Sequence, residues 1–323
     1  MIFFSAKETL LAAALAIAVD WLVGDPRWIP HPVVWIGRLI SRLERLLLRQ
    51  GQPRSVVRGK GVLLTVAVTG LAGLFCWAVC VLAGWIHPWL GFAANVWFIS
   101  TTFAVRGLRE AAMAVHRPLR QGDLTEAREK VGWIVGRDTA DLSEPEVARA
   151  AVETVAENTV DAFVSPLLFA VLGGAPLAML YRAANTLDSM VGYRDERYRD
   201  FGWASARFDD VLNYIPARVT GVLLTATAWF VRPASASRAW RAIRAFAKLH
   251  PSPNSGIPES AVAGALGIRL GGTNRYGGIV SERARLGWPL RAIVPDDIVL
   301  AVRMLYGVSY ILAGGLVCAW GVG

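Results

Sequence analysis

From Gly61 to Ile86 the chain carries no charged side chain. At 1.5 Å of rise per residue, a helix over that stretch exceeds the roughly 30 Å hydrocarbon core of a bilayer. A helix that is apolar on every side must be buried on every side, and a membrane supplies that burial without a large protein core. Similar runs lie near residues 8–23, 89–105 and 299–320, and shorter, interrupted ones near 162–181 and 220–231. Hydrophobic residues make up 54% of the chain and charged residues 18%. That balance excludes a disordered chain and argues against an ordinary soluble enzyme, in which about a quarter of residues are charged. The sequence therefore predicts an all-α, polytopic helical membrane protein, a single integral domain over 1–323, with helical cytoplasmic loops. The N-terminal apolar run has only Lys7 as an early cation and no small-residue cleavage pattern, so we expect it to be kept as the first span.

Lys and Arg number 34 against 25 Asp and Glu, a net charge of +9. No zinc-finger or RNA-reading pattern accompanies this excess, so we expect no nucleic-acid partner. The cations flank the apolar runs: residues 24–60 hold eight Arg or Lys against two acids, and residues 232–298 hold ten against four. Both stretches are expected on the cytoplasmic side. Within the first, Arg38, Arg42, Arg45 and Arg49 recur every three or four residues opposite an apolar side, which predicts a helix over 33–48 lying on an anionic lipid surface. Cys76, Cys80 and Cys318 all fall in apolar segments and read as packing residues. Ser143, three residues before Glu146, predicts a capping-box helix start.

The 162–181 run contains Pro166, Gly173, Gly174 and Pro176, and the 220–231 run is short. If both cross the membrane, the polar stretch between them faces outside; if both are broken or re-entrant half-spans, it faces the cytoplasm. We expect the second.

Three polar clusters border these segments. Glu153, Glu157 and Asp161 follow at four-residue intervals and share one helix face. They form either a solvated acidic face or a site where a cation, magnesium being the natural one, relieves their repulsion. Asp161 leads directly into apolar sequence, where an isolated carboxylate is costly. The run Asn185-Thr186-Leu187-Asp188-Ser189 offers hard oxygen donors suited to magnesium and phosphate, or to capping a turn. Asp209 and Asp210, with Asn213 and Arg218 following, read either as a metal-binding pair with a phosphate-facing cation or as a salt-bridged helix start. Two loops add anion chemistry. His250 to Gly256 is rigid and polar. Gly271 to Gly278 is glycine-rich and serves either to bring backbone N–H groups to phosphate or as a flexible linker. No P-loop, zinc site or nucleophilic triad is present in the sequence.

Several of these stretches together resemble one family. They are Asp20…Gly24-Asp25-Pro26…His31-Pro32, Arg137-Asp138-Thr139, Glu153 to Asp161, Asn185 to Tyr193, Ala206 to Arg218, and Ser252 to Gly256. In order, over nearly the whole chain, they resemble the adenosylcobinamide-phosphate synthases, integral membrane enzymes of late cobalamin biosynthesis. Residues 49–60 and 279–295 match weakly. The resemblance implies ATP-driven amide formation between adenosylcobyric acid and aminopropanol or its phosphate, with Mg2+ required and ATP as co-substrate. It implies Glu153, Glu157, Asp161 and Asp188 as catalytic base or magnesium residues, with Glu157, Asp161, Asp188, Asp209 and Asp210 as the metal candidates. Asp209 and Asp210 are alternatively an amine-binding pair. Arg137 and Arg218 are implied to face phosphate, and His31, Asn254 and Tyr276 to contact the corrin side chains. Asp25, Asn158, Asn185, Ser189, Asn213 and Ser252 complete the implied substrate-binding set. Because ATP and corrinoids are cytoplasmic, the site is expected to face the cytoplasm from a multi-pass inner (plasma) membrane protein. Membrane lipid, a second copy, or other membrane-bound enzymes of the same pathway are the implied partners. Two rivals remain. A membrane prenyltransferase uses paired Asn/Asp-rich magnesium motifs, of which Asn185 and Asp188 give one incomplete copy. A non-catalytic corrinoid transporter would use the acidic stripe as an ion pathway.

Overall fold

The computed structural model describes residues 5–25, 31–49, 51–193 and 195–322. The chain forms two compact units, each built from separate stretches: one from 1–104, 165–213 and 313–323, the other from 105–164 and 214–312.

The first unit is helical. Helix α1 (Ala6–Leu22) starts from a capping box of Ser5 and Glu8. Helix α2 (Pro32–Leu47) is amphipathic as expected, with His31 at its N-cap and Ile36, Ile40 and Glu44 buried. Helix α3 (Arg54–Ile86) and helix α4 (Pro88–Ser100) meet at His87, which caps α4 through the Trp89 N–H. They pack so closely that a Cβ on Gly91 would lie 2.8 Å from the Gly84 Cα, which explains glycine at that crossing. Cys76 and Cys80 are buried along α3 as free thiols. Helix α4 stops short of the expected residue 105. Ser100, Thr101 and Thr102 turn their hydroxyls back onto the carbonyls of Trp97, Phe98 and Ile99, offering the backbone an alternative to continuing the helix.

In the second unit, α5 (Val105–Gln121) and α6 (Leu124–Gly132) precede α7 (Glu144–Thr159), which begins with the expected Ser143–Glu146 capping box. A π turn over Val160–Val164 carries Asp161, and the helix then resumes as α8 (Ser165–Val191) in the first unit. Helix α9 (Trp203–Leu212) closes the first unit's central stretch, and α10 (Tyr214–Thr227) and α11 (Ala236–Phe246) open the return to the second. Helix α12 (Gly256–Leu266) is buried at every residue and packs against α7, α10 and α11. Sequence reading places only polar, cytoplasmic chain here. The short run of Ala, Gly and Ser residues gives no membrane-length signal, yet it forms the centre of this unit.

The glycine-rich 271–278 segment, expected as a loop, is instead half of a β-hairpin. Strand β1 (Leu270–Tyr276) pairs antiparallel with β2 (Ile279–Leu286), from Tyr276 opposite Ile279 to Leu270 opposite Leu286, with a register break near Gly271. The chain ends with α13 (Asp296–Val322).

Three helical stretches are long and apolar enough to cross a membrane among the described residues: Arg54–Ile86, Glu144–Val191 and Asp296–Val322. The second is broken, as its glycines predict. Gly173 and Gly174 leave helical geometry, with φ of +64° at Gly174, and the freed Ala175 N–H donates to the buried Asn95 Oδ1 at 2.8 Å. The break folds the chain back. The Ser165 and Tyr181 hydroxyls both donate to Asn213 Oδ1, at 2.5 and 2.8 Å, although in a straight helix their backbones would stand about 24 Å apart. The Phe169 and Tyr181 rings stack at 5.2 Å across the same break.

Candidate functional site

Each unit holds one cluster of the sequence-predicted polar residues. In the second unit, the four-residue spacing of α7 places Arg149, Glu153 and Glu157 on one stripe. Glu153 faces inward, and the positive charge beside it comes from arginine. Arg137 Nη2 donates to Glu153 Oε2 at 2.5 Å, Arg149 Nη1 to Oε1 at 3.2 Å, and the Gly271 N–H to Oε1 at 2.7 Å. All three side chains are less than a tenth exposed. Arg149 also donates to the carbonyls of Gly271 and Thr273, and both arginines donate to Asn274 Oδ1. Glu153 is thus the anion that holds two buried guanidiniums and ties α7 to β1.

The hairpin answers the question left by its glycines. Asp138 accepts the N–H groups of Gly277 and Gly278, at 3.0 and 2.7 Å, and its own N–H donates to the Arg275 carbonyl. The backbone donors expected to approach phosphate are therefore held by the carboxylates of Asp138 and Glu153. Tyr276 is half-buried at the end of β1, with the Arg283 guanidinium 5.8 Å from its ring.

Around the start of α12, the Ser252 hydroxyl accepts the N–H groups of Asn254 and Ser255, and Ser255 Oγ donates to Glu157 Oε1 at 2.8 Å. Arg218 lies 3.4 Å from the Tyr214 ring and donates to the Tyr214 carbonyl at 2.6 Å and to Asn254 Oδ1 at 3.4 Å. Glu157 is half-buried and forms no ion pair among the described residues, unlike Glu153. Asn158 donates back to the Thr154 carbonyl, and Asp161 is half-buried in the π turn.

Sequence reasoning missed Arg149 and Glu259, and read His250 and Asn274 only as members of loops with anion chemistry. His250 Nε2 lies 3.6 Å from Glu259 Oε1, with both side chains almost fully enclosed. Burial pushes the Glu259 carboxyl well above its ordinary range, and the charges of Glu153 and Glu157 add to the effect. Burial lowers the His250 imidazole below its ordinary value, against the pull of Glu157. Two buried polar atoms of this cluster, His250 Nε2 and Asn274 Nδ2, have no hydrogen-bond partner among the described residues. Buried polar groups are nearly always satisfied, so these are the atoms of the cluster best placed to meet a ligand. For Arg149 the visible sequence signal was its i, i+4 relation to Glu153.

In the first unit, the fold-back of α8 gathers Asn185, Asp188, Asp209 and Asn213. Asp209 Oδ1 accepts from Asn185 Nδ2 at 3.3 Å, and Oδ2 from Asn213 Nδ2 at 2.9 Å. Burial, then the charge of Asp188, push the Asp209 carboxyl up to about 7, while the two amides pull it down. Asn213 is fully engaged by Ser165, Tyr181 and Asp209, so it organises the cluster. Asp210 lies 3.9 Å from Arg207 near the surface, and Ser189 is exposed with its hydroxyl on the Asn185 carbonyl. Asp25 and His31 pair with each other at 3.2 Å, beside the His31 cap of α2. Pro26 and Pro30 lie outside the described residues.

No group of three or more His, Cys, Asp or Glu side chains is arranged to hold a metal ion among the described residues. Magnesium characteristically takes one or two protein carboxylates and completes its shell with water and substrate phosphate. The mutually repelling Asp188 and Asp209 suit that partial role, as ligands for an ion arriving with phosphate.

The profile of the CobD/Cbib protein family matches residues 13–305, which contain both clusters. The chain belongs to the CobD/CbiB family. It is 50% identical over 301 residues to the cobalamin biosynthesis protein CobD of Klebsiella pneumoniae, covering 93% of this chain and 94% of that one. It is 47% identical to the cobalamin biosynthesis protein CbiB of Salmonella typhimurium, covering 96% and 97%, and 46% identical to CobD of Halalkalibacterium halodurans, covering 96% and 98%. No solved structure matches the chain. Within this CobD/CbiB chain, the long sequence motifs coincide with the two polar clusters.

Proposed function

We propose that this CobD/CbiB chain acts in cobalamin biosynthesis as an ATP-dependent amide ligase, joining a carboxylate of adenosylcobyric acid to aminopropanol or aminopropanol phosphate. The observation that carries the reading is the pairing of its relatives' role with two buried clusters rich in carboxylate and amide groups. A corrinoid carboxylate oxygen attacks a phosphorus of ATP, giving a mixed anhydride and releasing ADP or pyrophosphate. The amine nitrogen then attacks the acyl carbon, the C–O bond to phosphate breaks, and a proton leaves nitrogen. Magnesium, when bound, neutralises phosphate charge, and Asp188 and Asp209 are the residues that would hold it. Arg218, half-exposed and stacked on Tyr214, is the cation placed to meet phosphate. Glu157, free of any ion pair, accepts the proton of the attacking ammonium. Glu153 keeps Arg137 and Arg149 fixed, and the open donors of Asn274 and His250 meet substrate oxygens. Each cluster is read as open to the cytoplasmic side of the inner membrane, where ATP and the corrinoid are available.

The test is purified protein with adenosylcobyric acid, ATP, magnesium and each candidate amine, with amide and nucleotide products followed together. Amide formation matched by ADP or AMP supports the reading. ATP left intact, or turnover of a prenyl diphosphate in its place, refutes it. Glu157→Ala and Asp188→Ala, at wild-type membrane levels, should each lower amide formation at least about 100-fold, the scale of one lost acid–base or charge-stabilising group. Full activity in both variants would sink the assignment of the two clusters.

A further inference from the structure

The second unit carries a cleft of about 630 Å³ between the end of α10, the turn after it, and α13. Two arginines line it, Arg232 from the turn and Arg303 from the apolar span Asp296–Val322. Neither guanidinium has an ion pair or hydrogen bond among the described residues, and both side chains are exposed. The remaining wall is apolar and open: Phe230 is 82% exposed, Tyr310 57% and Ile311 37%. Thr227 Oγ1 is buried with no hydrogen-bond partner among the described residues, and the Thr227 methyl fills the space a Cβ on Gly307 would take. We propose that this cleft binds an anionic phospholipid, its phosphate held between Arg232 and Arg303 and its acyl chain lying along Phe230 and Ile311.

Each half of the cleft selects its part of that ligand. Guanidinium pairs are suited to phosphate oxygens, and arginine is weakly enough hydrated to act at a membrane surface. Phe230 stands at the end of the apolar 220–231 run, so an acyl chain can lie against it beside the two cations. The charged lining residues are both arginines, so a lipid of net negative charge is favoured over zwitterionic phosphatidylcholine. A soluble phosphate would answer the two cations and leave the apolar wall uncovered.

The test is the full-length protein in nanodiscs of phosphatidylcholine with one-tenth phosphatidylglycerol, re-extracted in mild detergent, with the retained lipid quantified by mass spectrometry. Wild type should retain phosphatidylglycerol above its bulk proportion. R232Q should cut the enrichment about five-fold, and R232Q with R303Q about twenty-five-fold, the scale of one surface arginine's attraction to anionic lipid. Both variants should melt with wild type in phosphatidylcholine alone. If the double variant fails to fold, R232Q, whose side chain is on the exposed turn, carries the same prediction. Millimolar glycerol 1-phosphate should leave retention unchanged. Equal retention of the two lipids by wild type, undiminished enrichment in R232Q, or displacement by glycerol 1-phosphate would each overturn the proposal.

Discussion

Replacing Arg149 by methionine removes one guanidinium from four acceptors at once: Glu153 Oε1, the Gly271 and Thr273 carbonyls, and Asn274 Oδ1. Methionine roughly fills the space, so the loss is electrostatic and hydrogen-bonding, not a cavity. Glu153 keeps Arg137 at 2.5 Å and the Gly271 N–H at 2.7 Å, so its charge is not stranded. The β1 carbonyls have no such reserve, because the bonds that tie them to α7 all come from Arg149. Losing hydrogen bonds from a charged donor costs about 1.5–3 kcal/mol, and for a unit of this size that lowers the melting temperature by roughly 3–12 °C. The measurement is intrinsic tryptophan fluorescence in mild detergent at a fixed scan rate, beside E153Q and the double variant. Because Arg149 and Glu153 touch, the double variant should cost less than the two singles together, by about 0.5–3 kcal/mol. A melting temperature for Arg149→Met within about 2 °C of wild type, smaller than 1 kcal/mol produces in such a unit, would refute the role given to this cluster.

Three further outcomes follow from the geometry. Burial raises the Glu259 carboxyl well above its ordinary range, so the folded state binds its proton more tightly than the unfolded chain does; its contribution is fully present below the ordinary glutamate range and is lost as pH rises through the higher folded value. E259Q should therefore flatten the fall in melting temperature between pH 5 and pH 8, and an unchanged slope would count against a neutral Glu259. Asn95→Leu leaves the Ala175 N–H at the α8 break without its acceptor and should destabilise by about 1–3 kcal/mol, read as a lower melting temperature; a neutral result would mean the break does not need that bond. Ser189→Cys, exposed beside Asp188, should react with an impermeant thiol reagent in inverted inner-membrane vesicles and not in intact cells, and labelling from outside would reverse the topology. Ser205, fully buried against Thr65, is unsuited to that probe.

What the sequence made legible were the features set by neighbours along the chain. The Ser143–Glu146 box, the arginine-striped α2 and the Gly173–Gly174 break all depend on residues within one or two turns. The residues that went unread take their meaning from distant partners. Arg149 looks like a surface i, i+4 mate of Glu153 until β1, more than 120 residues later, supplies its other acceptors. The glycines of 271–278 signal permissive backbone, but whether their N–H groups meet phosphate or a carboxylate is decided by Asp138 and Glu153. Helix α12 is too short and too rich in Ala and Gly to stand out, and only its packing against three helices shows it as core. Glu259 was hidden with it.

The Arg149 cluster also sets a clock on biosynthesis. Its carbonyl acceptors at Gly271 and Thr273 are encoded 122 and 124 residues downstream, about 6–25 s of translation at ordinary ribosome speeds. Throughout that interval the guanidinium has only Glu153 and Arg137's neighbourhood for company, and withdrawing it from water half-paired is expensive. The burial of that face of α7 depends on acceptors the hairpin supplies. The hairpin, supplied late in the chain, acts as a clasp that closes a structure begun much earlier.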